Sequence, residues 1–311
     1  MEEFLKRTFG LLSLLIALLI FTPLAVIPAD KAVEYPQTFN LFPLDTLSPD
    51  VLFLGSSTLA FGLDEEVLSA RGIDFFSFGL HGGSGPSYIF HETSDVRAKS
   101  NMTILSPSPP WLLEPYLQPE VPALLSHSKM GASHVLQAYG LETFILTKAW
   151  ALSHYLRPWR SYYQESETLS SFKFTSDCVG KRGVVMNHLK STESVQGDID
   201  NPYAAAERVF DPNFWENDSY STTHTALDLD YWKSQANHFS YILPIPIRRS
   251  QNATVYAENI HKLSVALQKP LLLDPESCVF PDSLFFDEWH LNKAGGQIYS
   301  EMIASAPLLN L

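Results

Sequence analysis

Cysteine is nearly absent from this chain: two occur in 311 residues, Cys178 and Cys278. Neither belongs to a Cys-x-x-Cys pair or a Cys/His ligand spacing, which argues against a structural zinc site. In an oxidising compartment a disulfide between them would contribute ~4–5 kcal/mol by closing a long loop; two unpaired buried thiols is the alternative. Positive charge is also scarce. Twenty-one Lys and Arg stand against 34 Asp and Glu, a formal net charge of −13. That balance disfavours nucleic acid and anionic lipid surfaces as partners of the acidic part. Repeats and low-complexity tracts are missing. So is a dinucleotide fingerprint, because Gly83-Ser84-Gly85 has no third glycine at the right offset and follows a second strand rather than a first. No cofactor is expected.

One long apolar run is present. From Phe9 to Ile27 only Gly10, Ser13, Thr22 and Pro23 interrupt it, and about 20 such residues suffice to cross a bilayer core. Lys6 and Arg7 on its short side place residues 1–8 in the cytoplasm as a tail, residues 9–28 as a membrane anchor and the rest outside. A cleaved signal peptide ending at Ala29 is the competing reading, opposed by the length of the run. Residues 29–48, proline-dotted and without a period, read as a linker, and residues 49–311 as the exported domain.

Within that domain strands and helices alternate. Val51–Leu54, Asp74–Phe78, Met102–Leu105, Tyr241–Ile245 and Leu271–Leu273 read as strands. Helices are expected at 64–70, 87–99, 254–267 and 293–303. The alternation predicts an α/β fold, a three-layer α/β/α parallel sheet. Residues of about 111–229 fit the pattern badly and read as an insertion between strands three and four, helical near 117–154. Trp111, Trp150, Trp159, Trp215 and Trp232 lie in or beside it, with core packing the expected role of each and sugar stacking the rival one.

Chemistry concentrates at two places. Gly55-Ser56-Ser57 follows the first strand, and Asp287-Glu288-Trp289-His290-Leu291-Asn292 precedes the last helix. In open parallel sheets, ligands bind beyond the carboxyl ends of the strands, which sends both segments to one edge. A serine hydroxyl needs a base to take its proton as it attacks. His290 supplies the base, and Asp287 a carboxylate to fix its tautomer and stabilise the imidazolium. Catalytic candidates are therefore Ser57, Asp287 and His290. Developing negative charge on the attacked carbonyl calls for donors, from the backbone N–H of Ser57 and from the glycine-rich turn 79–85.

In their order along the chain, these segments resemble the SGNH/GDSL-like hydrolase superfamily, whose sheet is flavodoxin-like. Gly55-Ser56-Ser57 stands where the family has Gly-Asp-Ser, with Ser57 as nucleophile. Ser77-Phe78-Gly79-Leu80-His81-Gly82 stands for its Asn-x-Gly-x-x-Gly block, with Gly82 (or Gly83) as oxyanion donor. Asp287 and His290 match the closing Asp-x-x-His. The family's oxyanion Asn after the third strand is missing; either Ser106 or Ser108 substitutes through its hydroxyl, or that donor is absent. An N-terminal anchor, Gly-Ser-Ser and this Ser-Pro segment are similar to the membrane-anchored acyl-transfer branch, which includes teichoic acid D-alanyl transfer and polysaccharide O-acetylation proteins. The resemblance implies an acyltransferase or esterase with an acyl donor, a glycan acceptor and a membrane-bound O-acyltransferase as partners. It equally admits a non-catalytic scaffold or glycan-binding member of the fold.

Overall fold

The computed structural model describes residues 4, 6–13, 44–80, 85–113, 132–155, 182, 227–249, 253–285 and 289–309. The chain divides into two compact units, residues 1–41 with 119–174, and residues 42–118 with 175–311. The second unit holds the sheet and begins at Phe42, a few residues before the expected boundary at 49.

In chain order the elements are β1 (Val51–Ser56), α1 (Ser57–Gly62), α2 (Glu65–Ala70), β2 (Phe75–Leu80), α3 (Gly85–Glu92), α4 (Ser94–Lys99), β3 (Met102–Ser106) and α5 (Pro109–Leu113). They continue with α6 (Ala132–Tyr155), α7 (Leu229–Gln235), β4 (Tyr241–Ile242), β5 (Ile247–Arg248), α8 (Ala253–Leu267), β6 (Val279–Phe280) and α9 (Lys293–Ala304). The main sheet is parallel, in the order β2-β1-β3-β4. The fifth expected strand is reduced to a single parallel bridge from Ile242 to Leu271. A second, two-stranded parallel sheet joins β5 and β6.

Helices cover both faces of the main sheet, giving three layers. Residues Val51, Phe53, Phe75, Met102 and Ile104 alternate along the strands onto one face, where they pack with Leu59, Leu63 and Leu68 of the α1–α2 segment and with Tyr299 and Ile303 of α9. Leu52, Leu54, Phe76, Phe78 and Leu105, the alternate positions, are buried outside that cluster, as are apolar residues of α3, α7 and α8. Both faces being dry explains why β1 and β3 are buried at every residue.

Local chemistry sets the element ends. Asp64 caps α2 by accepting from the Glu66 and Val67 amides, at 2.9 and 3.1 Å. Gly72, at φ 76, ends it with paired bonds from the Gly72 amide to the Ser69 carbonyl and from the Ile73 amide to the Leu68 carbonyl. The expected helix 87–99 is two helices, broken at Thr93, whose hydroxyl donates back to the Ile89 carbonyl at 2.6 Å. Strand four stops at Ile242 rather than Ile245 because Pro244 and Pro246 bring no N–H to a ladder.

At the outer edge of β2 stands Arg182, from the expected insertion. Its carbonyl accepts from the Ser77 amide at 2.8 Å. Its guanidinium donates to Asp74 at 2.8 Å and to the Phe75 carbonyl at 3.1 Å, and lies over the Phe75 ring. Trp111 and Trp232 are fully buried, the packing role expected of them. Of the expected anchor 9–28, residues 9–13 are described, in a helical stretch over residues 6–13. Among the described residues no helix is long and apolar enough to cross a membrane.

Candidate active site

Strand β1 runs into α1 with no intervening loop: Ser56 is the last extended residue (φ −92, ψ −175) and Ser57 the first helical one. Such a sharp turn lets the helix start lie almost on the sheet, and two glycines in register make the room. A Cβ on Gly55 would sit 2.7 Å from the Leu59 side chain, and one on Gly79 would sit 2.6 Å from the Ala60 Cβ. Of the two adjacent serines, Ser56 is buried with its hydroxyl 2.7 Å from that of Thr58. Ser57 is half-buried at the carboxyl end of β1, beside the point where β2 and β3 diverge to opposite sides of the central strand.

His290 arrives from the other end of the unit. An antiparallel bridge between Phe285 and Leu291 pinches the base of its loop. Asn292 reinforces the pinch: its amide donates to the Leu284 carbonyl (2.9 Å) and its Nδ2 to the Ser283 carbonyl (2.8 Å). The same side chain accepts from the Gly295 amide at 3.0 Å, capping α9. Gly295 is required because a Cβ there would strike the Leu284 carbonyl. The Leu-Asn and glycine that follow His290 thus position it.

The outcome is a hydrogen bond across 233 positions, His290 Nε2 to Ser57 Oγ at 3.0 Å. That separation is within reach for proton transfer. For Nε2 to accept the serine proton, the ring's own proton must sit on Nδ1. Phe61, one helical turn after Ser57, packs against the imidazole with ring centroids 4.4 Å apart and a 47° tilt. One short helix therefore carries both the hydroxyl and the ring that backs the imidazole bonded to it. Phe61 escaped sequence reading, although its i+4 spacing from Ser57 was a usable signal.

Asp287, Gly82 and Gly83 lie outside the described residues. Ser106, the expected third oxyanion donor, is turned away from the edge. It pairs in register with Gly55, so its side chain points to the α1/α9 face, where it is 0 % exposed. There it lies near enough to the Tyr299 phenol to oppose slightly the rise that burial gives its pKa, yet closes no hydrogen bond. The Ser108 hydroxyl is likewise buried without a hydrogen-bond partner, while its carbonyl starts α5.

Two buried phenols brace the loops beyond β3 and β4. Tyr256 donates to the Pro107 carbonyl (3.1 Å) and accepts from the Ile245 amide (2.9 Å); Tyr299 donates to the Pro244 carbonyl at 2.6 Å. Burial raises both phenols well above their ordinary pKa, so they stay neutral donors.

In comparisons with known proteins, no family model, no curated protein and no solved structure matches this chain.

Proposed function

We propose that this protein is a membrane-tethered, serine-dependent acyltransferase or esterase of the SGNH type, acting on an ester-linked acyl group of an extracytoplasmic glycan or envelope polymer. The 3.0 Å approach of Ser57 Oγ to His290 Nε2 carries the proposal. Ser57 Oγ attacks the acyl carbonyl as its proton passes to Nε2. The tetrahedral intermediate collapses, the imidazolium returns that proton to the departing alcohol oxygen, and an acyl-serine remains. His290 then draws the proton from an incoming sugar hydroxyl or water, which attacks the acyl-serine; collapse frees the ester or acid and returns the proton to Ser57.

Asp287 orients Nδ1 in this scheme, and the backbone N–H groups of Ser57 and Gly82 receive the oxyanion. Residues 9–28 hold the domain at the outer surface of the membrane, where a membrane-bound O-acyltransferase supplies the acyl group. The decisive experiment is labelling with a fluorophosphonate, which favours an activated serine over ordinary hydroxyls. Wild-type protein should label, Ser57→Ala should not, and His290→Gln should label ~10²–10⁴-fold more slowly. Labelling that survives Ser57→Ala would remove Ser57 from its role.

The burial of Ser106 favours one second reading, a non-catalytic glycan-binding scaffold that assists the acyltransferase. On that reading, cells carrying His290→Ala keep normal polymer acylation; on the catalytic reading they lose it.

A further inference from the structure

Apolar side chains are not exposed evenly. Of the eleven large ones standing open among the described residues, eight belong to the unit of residues 1–41 and 119–174. That unit also differs in charge: its sequence holds eight acidic and eight basic residues, so the whole formal charge of −13 rests on the other unit. The apolar run 9–27 is part of it as well.

The pattern is sharpest in α6. Gly140 (φ 81, ψ 174) breaks this helix, leaving a C-terminal limb from Leu141 to Tyr155. From Ile145 onward in that limb the usual burial is inverted, whereas exposed Glu142, on the same face, and buried Phe144 keep the ordinary order. Leu141, Ile145 and Leu146 are 62 %, 47 % and 50 % exposed, and Ala149 is open beside them. Thr147 and Lys148 are 0 % and 4 % exposed. Thr147 returns its hydroxyl to the Thr143 carbonyl at 2.7 Å, and the Lys148 ammonium lies 5.8 Å from the centre of the buried Phe144 ring. A helix on a water-facing surface turns its charged side chains out and its apolar stripe in. Apolar out and polar in is the arrangement of a helix solvated by lipid.

We propose that the outward stripe of this limb, Leu141, Ile145, Leu146 and Ala149, rests in the hydrocarbon boundary of the lipid bilayer, a second membrane contact beside the N-terminal segment. The inference rests on the reading that residues 9–28 enter the bilayer. Fifteen residues at 1.5 Å each make about 22 Å, short of the ~30 Å hydrocarbon core. With Glu142 at its start and Lys148 within it, the limb lies along the interface instead of crossing. Because the unit is neutral, the contact is apolar and needs no anionic lipid.

Spin labels on the full-length chain in zwitterionic phosphatidylcholine vesicles test this. Cys278 is buried with its thiol pushed up to about 12 and does not compete for label, so Cys178→Ser is the only background change. Labels are placed by Ile145→Cys, by Leu146→Cys as a second probe of the stripe, by Leu12→Cys in the apolar run, and by Val265→Cys, which is 78 % exposed on α8. The ratio of collisions with oxygen to collisions with a water-soluble nickel chelate should be several-fold higher at 145, 146 and 12 than at 265. A ratio at 145 and 146 equal to that at 265, with 12 in lipid, overturns this inference and spares the anchor. Water-like ratios at all four sites overturn the anchor and the inference together. Labels at 145 and 146 reached by neither reagent also overturn it, because protein would then cover the stripe.

Discussion

Gly79→Ala is the sharpest test of how the proposed nucleophile, Ser57, is positioned. The added Cβ would meet the Ala60 Cβ at 2.6 Å, its N at 2.8 Å and its Cα at 3.0 Å. Two of the three are backbone, so no rotamer change relieves the clash and α1 must lift from β2. Restoring the tightest contact to the 3.4 Å floor of ordinary packing moves the helix by about 0.8 Å at that point. Overpacking of this kind costs about 1–3 kcal/mol, which in a unit of this size lowers Tm by roughly 2–12 °C at about 2–4 °C per kcal/mol. Ser57 moves with the helix. A misplacement of about 1 Å costs on the order of 10²-fold in rate, so fluorophosphonate labelling should slow by ~10-fold or more. Gly62→Ala is the control, since its Cβ meets side chains and no backbone, the Tyr299 ring at 3.3 Å and Pro246 at 3.9 Å. Scanning calorimetry and a labelling time course on the three proteins decide the matter. If Gly79→Ala melts and labels like wild type, the glycine pair does not set the height of α1 and the reasoning fails.

Phe61→Leu should slow labelling about tenfold with little change in Tm, and Phe61→Tyr should restore most of it; equal rates in all three would dismiss the ring as support for His290. His238 accepts from Arg97 (Nη1 to Nδ1, 2.8 Å) and lies against the Phe90 ring; burial, then the Arg97 charge, hold its pKa below the ordinary 6.5. Its unfolded form therefore binds the proton more readily, so stability is fully present above pH ~6.5 and is lost as pH falls through the folded pKa. Thermal midpoints between pH 7 and 5 should fall less steeply in His238→Gln, and an unchanged slope would refute the assignment. Native protein should leave Cys278 unmodified by iodoacetamide at pH 8 and expose it on unfolding, as peptide mass mapping would show.

Most of this framework could be read from residue order, because two-sided burial leaves runs that are wholly apolar, as in Val51–Leu54, or nearly so, as in Met102–Leu105 with its one Thr103. Strand five was misjudged for a physical reason: Leu271–Leu273 looks extended, but Pro270 before it and Asp274-Pro275 after it leave room for one bridge. Ser57 and His290 were legible because the carboxyl edge of a parallel sheet gathers segments far apart in the chain. Ser106 was misread since position along the chain says it follows β3, while only register with Gly55 says which way its hydroxyl turns. Phe61 and Arg182 are ordinary residues by type, and only their neighbours in space give them a role.

Arg182 has a consequence for how the sheet comes into being. The strands β1, β2 and β3 lie within 56 consecutive residues and can pair before residue 182 is available. Their guard on the β2 border comes from 108 positions beyond the carboxylate that receives it. Until that stretch is synthesised, β2 presents a bare row of amides and carbonyls to any other extended chain. Production in a heterologous host should be most prone to aggregation in truncations ending between β3 and residue 182, and a holding chaperone would matter most during that interval.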